Sequence, residues 1–312
     1  MRTLSIHANN AIIHLRDHCI YVSKWKHPYD SGWEHPVPMI SRTMFSQDRH
    51  TPIADLEYLI LQGRNLSIQH DLISAFSKQH GIVLHLDRRY RPVAQSSPEP
   101  RVTDQNLFFA QHTMSDAKQK NLWKQLLRSK TLGQVNVLQS LNISPPKTFH
   151  LHISRRRETP PEGALAAQYW HLYFDRLQAS NLSRDPASDD PINVALNYGY
   201  GVIQAAVHRE AIIHGLNPLF GIRHVARAGS HAFVYDLMEP LRHWAEYAVA
   251  HNYQKDGVLE MRDFRVKFLE FMETKLGPKG NSRTRFDWVR QHILAVCKGI
   301  KSGTPLRELP SA

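Results

Sequence analysis

Asp236 and Glu239 stand three residues apart at the end of the run "HAFVYD" and just beyond it, and His224 lies twelve residues before the first of them. On a helix, positions i and i+3 share a face. Two carboxylates facing one point repel each other unless a cation or a base lies between them. Hard oxygen donors suit Mg²⁺ or Mn²⁺, and an added imidazole leans towards Mn²⁺. The same letters also have an ordinary explanation. Acids in a first helical turn are favoured by the macrodipole, at roughly 0.3–1 kcal/mol each. The chain has 20 histidines, so a single one carries little weight, and His231 competes with His224. Glu162 follows Pro160 and Pro161 and shares the helix-start explanation. Spacing alone leaves both readings open and does not unite these residues.

The 312 residues suffice for one large or two modest domains. Hydrophobic residues make up 42% and charged residues 21%, the balance of a soluble globular chain. The formal net charge is +11. The corresponding pI of about 9.7 is the electrostatic footprint of a nucleic-acid binder. An anionic membrane surface would suit the charge too, but no apolar run approaches the ~18 residues of a membrane span. The opening "MRTLSIHANN" lacks the apolar core of a secretory signal. Two cysteines, Cys19 and Cys297, argue against a disulfide framework or a thiolate zinc site. The expected location is the reducing cytoplasm.

The elements that must position these groups fall into two regions. Residues 1–94 read as β-rich. "AIIHLRDHCIYVS", "LEYLILQG" and "GIVLHLD" are strand-like. Between the last two, Ile68, Leu72, Ile73 and Phe76 have helical spacing, with Ser67 as a candidate cap. "KHPYDSGWEHPVPM" should be loop, and "AQSSPEPR" (94–101) is the clearest linker. Residues 95–312 read as helical. "DAKQKNLWKQLLRSKTLGQVNVLQSL" carries Leu122, Leu126 and Leu127 on one stripe with Lys118, Lys120, Lys124, Arg128 and Lys130 around it. That basic surround reads as a solvated face or as a phosphate-contacting one. A helix is expected from Glu162 to Leu177. Another starts at Pro191 under an Asp189 or Asp190 cap and stops at Gly215, and one runs from Asp236 to about Asn252. The fold class expected is α+β, a small N-terminal β-rich domain followed by a larger all-α domain.

Taken in order, "PEGALAAQYW", "DDPINVALNYGYGVIQAAV", "GLNPLFGIRH" and "FVYDLMEPLR" resemble the CRISPR-associated endonuclease/integrase family of spacer acquisition. The resembling features are Glu162-Gly163 opening a helix, Asn193 with Tyr198-Gly199-Tyr200, the Gly215–Pro218 turn, Gly221–His224, and the Asp236–Pro240 helix start. Residues 56–92 resemble the end of that family's N-terminal β domain, and the lysine-rich helix resembles its linking helix. The likeness covers roughly residues 55–245. Leu241, Arg242 and His243 depart from the family pattern, as does the extra His231, and the first 50 residues match poorly.

The resemblance implies that Glu162, His224 and Glu239 hold Mg²⁺ or Mn²⁺, with Asp236 as a supporting carboxylate; all four would be catalytic. It favours His224 over His231. It implies 3′-hydroxyl attack on DNA phosphodiesters, inserting short duplexes (prespacers) into a repeat array in antiviral defence. It also implies a homodimer, joined through the β-rich domain, with a small ferredoxin-like partner protein and no membrane. Arg223, Arg227, Arg242, Lys147 and Arg155–Arg157 flank the implied site and suit phosphate contacts. Tyr198, Tyr200 and Tyr235 suit packing or stacking on DNA ends. A branched-DNA nuclease or mobile-element recombinase would use the same domain, and a non-catalytic DNA-binding scaffold is a third reading.

Overall fold

Residues Asp17 and His18 both have positive φ, 48° and 59°. They make the two-residue turn that joins strands β2 (Ala11–Arg16) and β3 (Cys19–Lys24), with Arg16 opposite Cys19. Such a turn matches the twist of the strands it connects. In this computed structural model the described residues are 3–24, 51–99, 104–154, 161–224, 231–256, 259–278, 280–306 and 309–310. The proline-rich loop expected at 26–39 lies outside them, as do Arg155–Arg157 and Arg227.

Strands β4 (Thr51–Pro52) and β6 (Leu66–Ile68) complete a sheet of order β4-β3-β2-β6. A second sheet has the order β1-β5-β7-β8, from β1 (Thr3–His7), β5 (Tyr58–Gln62), β7 (Ile82–Leu86) and β8 (Pro92–Ser96). Its first three strands are parallel and β8 is antiparallel. Every residue of β5 is buried. Alternate side chains leave opposite faces of a strand, so this sheet serves two cores. Leu4, Ile6, Leu59, Leu61 and Val83 pack with the hairpin sheet and helix α1 (His70–Lys78). Tyr58, Ile60, Ile82, Leu84 and Leu86 pack into the helical body. Burial on both faces explains why "YLILQ" and "IVLHL" read as continuous apolar runs.

In the β-rich region, local details differ from the sequence reading at two places. Ser67 and Ile68 belong to β6, and Gln69 is the residue preceding α1, without a side-chain cap. The expected linker begins later than Ala94, because β8 extends to Ser96. Pro92 opens that strand at the sheet edge, the one place where a missing N–H costs no ladder bond.

The helical body comprises α2 (Gln105–His112), α3 (Asp116–Ser140), α4 (Lys147–Ile153), α5 (Glu162–Arg176), α6 (Pro191–Ile213), α7 (Ala232–Met238), α8 (Arg242–Asp256), α9 (Met261–Glu273) and α10 (Arg285–Ser302). A short ribbon of β9 (Lys275–Leu276) and β10 (Arg283–Thr284) precedes α10. Helix α6 is buried along almost its whole length. Asp190 caps it by accepting the Asn193 N–H at 2.9 Å, Pro191 takes its first position, and Gly215 follows it with φ 80°. Two glycines let this helix be approached closely. A Cβ on Gly199 would stand 2.7 Å from the Ala245 Cβ, and one on Gly201 would collide with Pro92 of β8. The β5/β7/β8 sheet and α8 therefore both pack directly on α6.

The helix expected from Asp236 onward is broken. It begins earlier, at Ala232, and gives way to a 3₁₀ turn at Glu239–Leu241 before α8. Pro240 is the cause, since it has no N–H to donate to the carbonyl of Asp236. Asp236 is consequently in the last turn of α7 rather than at a helix start, so the macrodipole does not account for it.

Three buried histidines make the fold acid-sensitive. Burial lowers the pKa of His208 to about 3 and those of His243 and His292 to about 4. In the unfolded chain each titrates near 6.5. The unfolded state therefore binds more protons between those values, and the stability held by the neutral rings is intact above about pH 6.5. It is lost as pH falls from there towards about 4, by on the order of a few kcal/mol in all. Urea unfolding at pH 7.5 and pH 5 should show the midpoint drop; equal midpoints would refute it.

Candidate metal centre

Glu162 occupies the first position of α5, directly after Pro161, which sets the helix entry. Its side chain is half exposed. Lys130, from the middle of α3, places its Nζ 3.0 Å from Glu162 Oε1 and 2.7 Å from Glu239 Oε2. Glu239 opens the 3₁₀ turn and is buried. Its other oxygen, Oε1, accepts from Arg242 Nε at 3.0 Å. Oε2 makes no hydrogen bond of normal geometry, so the Lys130 ammonium is the charge set against it. Burial opposes the charge on Glu239, but Arg242 and Lys130 outweigh it and hold the carboxyl below its ordinary range. Burial likewise opposes the charge on Lys130, and Glu239 and Glu162 outweigh it, holding the ammonium above its ordinary range.

The second half of the centre is a loop held by one carboxylate. Asp236 is fully buried. Its Oδ2 accepts the N–H groups of Ile222 and Arg223, at 2.5 and 3.2 Å, and its Oδ1 accepts the N–H of His224 at 3.1 Å. The same Oδ1 lies 2.7 Å from His224 Nδ1. An ionised carboxylate only accepts, so Nδ1 carries the proton and Nε2 is left free to ligate. A carboxylate behind an imidazole in this way fixes the ring tautomer and raises its basicity. Accordingly the Asp236 hydrogen bond raises the His224 pKa against the effect of partial burial. His224 and Glu239 are close enough for each to shift the other's titration.

The implied ligands are thus brought to one neighbourhood, in two pairs. Glu162 and Glu239 meet through Lys130, and His224 is tied to Asp236. Among the described residues no three His, Cys, Asp or Glu side chains lie close enough together to hold an ion. The donor set nevertheless fits one. Two carboxylates already converge on a single cation, one of them through an oxygen with no other partner among the described residues, and the imidazole nearby is oriented from behind.

His231 lies elsewhere, stacked on His208 with ring centroids 4.4 Å apart. His243 is buried behind the 3₁₀ turn, with Nδ1 2.9 Å from the Pro240 carbonyl. A Cβ on Gly133 would stand 2.5 Å from that ring, so α3 closes on the turn one helical turn from Lys130. Cavities of about 400 and 360 Å³ open beside the Ile222–His224 loop. The first is lined by Lys120, Trp123, Glu162 and Arg223, the second by His112, Phe220 and His224.

Sequence reasoning missed three participants. Lys130 was grouped with a basic helix face, yet it points at two acids. His152, 3.0 Å from Thr131 Oγ1, senses the charges of Glu162 and Lys130. Glu246 is buried one turn beyond Arg242. Its carboxylate accepts from Tyr169 Oη at 2.6 Å and Tyr200 Oη at 2.8 Å, and Tyr173 Oη donates to its backbone carbonyl at 2.8 Å. Arg242 lies 4.8 Å over the Tyr200 ring. Tyr198 and Tyr200 are therefore packing residues. Of the three flanking tyrosines, Tyr235 is the one set beside the imidazole, with ring centroids 6.0 Å apart.

A β-rich unit ahead of a larger helical unit is an architecture shared with solved structures. The solved structure "Casposase bound to integration product" has the same fold, with TM-score 0.77 at 17% identity over 97% of this chain and 92% of that one. A Cas1 protein from Thermotoga maritima matches with TM-score 0.76 at 10% identity, over 99% and 100%. The family model for CRISPR associated protein Cas1 matches residues 4–275, and this chain belongs to that family. The CRISPR-associated endonuclease Cas1 of Neisseria meningitidis is 29% identical over 67% of this chain and 68% of its own length. One from Pyrobaculum aerophilum is 39% identical over 35% and 37%. Both the family expected from the ordered motifs and the α+β order are met. Among the described residues no helix is long and apolar enough to cross a membrane.

Proposed function

We propose that this protein is a divalent-metal-dependent DNA endonuclease and integrase that inserts short duplexes into a CRISPR array. The observation that carries the reading is the convergence of Glu162 and Glu239 on one cation beside an imidazole oriented by buried Asp236. Glu162, His224 and Glu239 would hold Mg²⁺ or Mn²⁺. A bound divalent ion supplies Lewis-acid polarisation of the phosphate and stabilises the charge that develops on it. Asp236 fixes the His224 tautomer and pins the loop that carries it. Arg242 neutralises Glu239 from behind. In the joining reaction a DNA 3′-hydroxyl loses its proton and forms a new phosphodiester, while the 3′-oxygen of the cut strand leaves and is protonated. Water in place of the hydroxyl gives plain cleavage. Net charge +11 and Lys120 and Arg223 along the cavity suit the polyanionic substrate.

The assembly belongs to the same proposal: a homodimer acting in the cytoplasm with a small ferredoxin-like partner, on double-stranded prespacer and repeat DNA. Solved relatives include a complex titled "Cas6-RT-Cas1--Cas2 complex". A second reading, a mobile-element recombinase or branched-DNA nuclease, is favoured by the fold shared with the casposase.

Both readings are tested by incubating the protein with a 3′-hydroxyl duplex, Mn²⁺ and plasmids with or without a repeat. Joined product should appear, fall to background with chelator, and fall roughly a hundredfold or more in His224→Ala. Undiminished product in that variant would sink the site assignment. Product indifferent to the repeat would favour the recombinase.

A further inference from the structure

We infer that Lys130 is a built-in cation that holds the metal position until DNA phosphate draws it away, so that metal loading and DNA binding are coupled. The inference rests on the metal-dependent reading above. Lys130 is 16% exposed, and its ammonium sits between two carboxylates that come from different elements, α5 and the 3₁₀ turn. Among the described residues, its counterparts on α3, Lys120 and Lys124, carry no comparable ion pair; Lys120 lines the open cavity.

The charge balance gives the reason for coupling. Glu162, Glu239 and Asp236 bring three negative charges. Lys130 and Arg242 bring two positive ones. One negative charge is left over as the centre stands. A divalent ion added to it turns that into an excess of positive charge in a partly buried site, which is unfavourable. The excess is relieved if the ammonium leaves the carboxylates, and a phosphate at the cavity mouth both attracts the ammonium and adds negative charge. Whatever DNA does for the metal, the metal then does for DNA, because coupling is reciprocal.

Mn²⁺ titration followed by electron paramagnetic resonance reads this without activity. The full-length protein, Lys130→Met and Glu162→Gln are each titrated with and without a DNA duplex. The parent should bind Mn²⁺ weakly alone and roughly tenfold or more tightly with DNA. Lys130→Met should bind tightly without DNA, and DNA should add little. Glu162→Gln should lose most binding. If Lys130→Met binds no more tightly than the parent while Glu162→Gln loses binding, the carboxylates are ligands and the placeholder role is wrong. If Glu162→Gln binds like the parent, the metal reading fails and the inference with it. Should Lys130→Met fold poorly without metal, melting curves in chelator and in Mn²⁺ take over. A larger Mn²⁺-induced rise in its melting temperature than in the parent's supports the inference, and an equal or smaller rise overturns it.

Discussion

The Glu162→Gln protein should cut and join DNA about a hundredfold more slowly than the parent, or worse, while melting at nearly the same temperature. The two halves of that result have separate origins. Glu162 is half exposed at a helix start, and its ion pair is with a lysine that keeps Glu239 as a second partner. Loss of one exposed partner costs little stability, about 0–1 kcal/mol. As one of three implied ligands, its charge matters to the reaction far more, since removing a single transition-state electrostatic group typically costs about 10²–10³ in rate. Glu239→Gln offers the contrast. There the buried negative charge between Lys130 and Arg242 is lost and Lys130 keeps only the half-exposed Glu162, so activity and stability should fall together. Steady-state joining assays beside thermal melts read both. A Glu162→Gln protein with parental rates would remove the carboxylate from the chemistry.

Glu246→Ala should be the most destabilising single change near the centre. It strands the hydroxyls of Tyr169 and Tyr200, both fully buried or nearly so, and opens a cavity beneath Arg242. Two buried hydroxyls left unsatisfied, at roughly 1–3 kcal/mol each, beside a new cavity cost about 3–5 kcal/mol in all. For a chain of this size that lowers the melting temperature by on the order of 10 °C. Glu246→Gln retains an acceptor and the volume and should lose much less. Calorimetry of the two variants decides it; similar melts for Ala and parent would show that the tyrosines find other partners.

How much of this was legible beforehand depended on the range of the signal. Asp190, Pro191 and Gly215 bound α6 through contacts within a few residues, so their types announce the helix ends. Strands β5 and β7 were visible as nearly unbroken apolar runs. Pro240 was in plain view, yet the acids around it were read as one helix start, whereas the missing N–H splits them between two elements. Asp236 and Glu239 therefore have different jobs, one behind the imidazole and one beside the ammonium. Lys130 was the least legible residue. Its partners lie 32 residues away at Glu162 and far beyond that at Glu239, and as one of five basic residues on one helix it carries no local mark. Glu246 and its tyrosines were hidden for the same reason: the network exists only once α5, α6 and α8 are packed.

The two-faced sheet also constrains how the chain is made. On the face turned to the helices, Tyr58 stacks on Phe286 with ring centroids 4.6 Å apart. At the far edge Thr3 reaches Glu273, 270 positions later. A nascent chain that has already paired β5 with β7 must therefore leave that apolar face incompletely covered until α10 is synthesised, about 200 residues after Leu86. At roughly 5–20 residues per second this is on the order of ten seconds or more. During that interval the ribosome-bound intermediate is a natural client for chaperones that shield apolar surface.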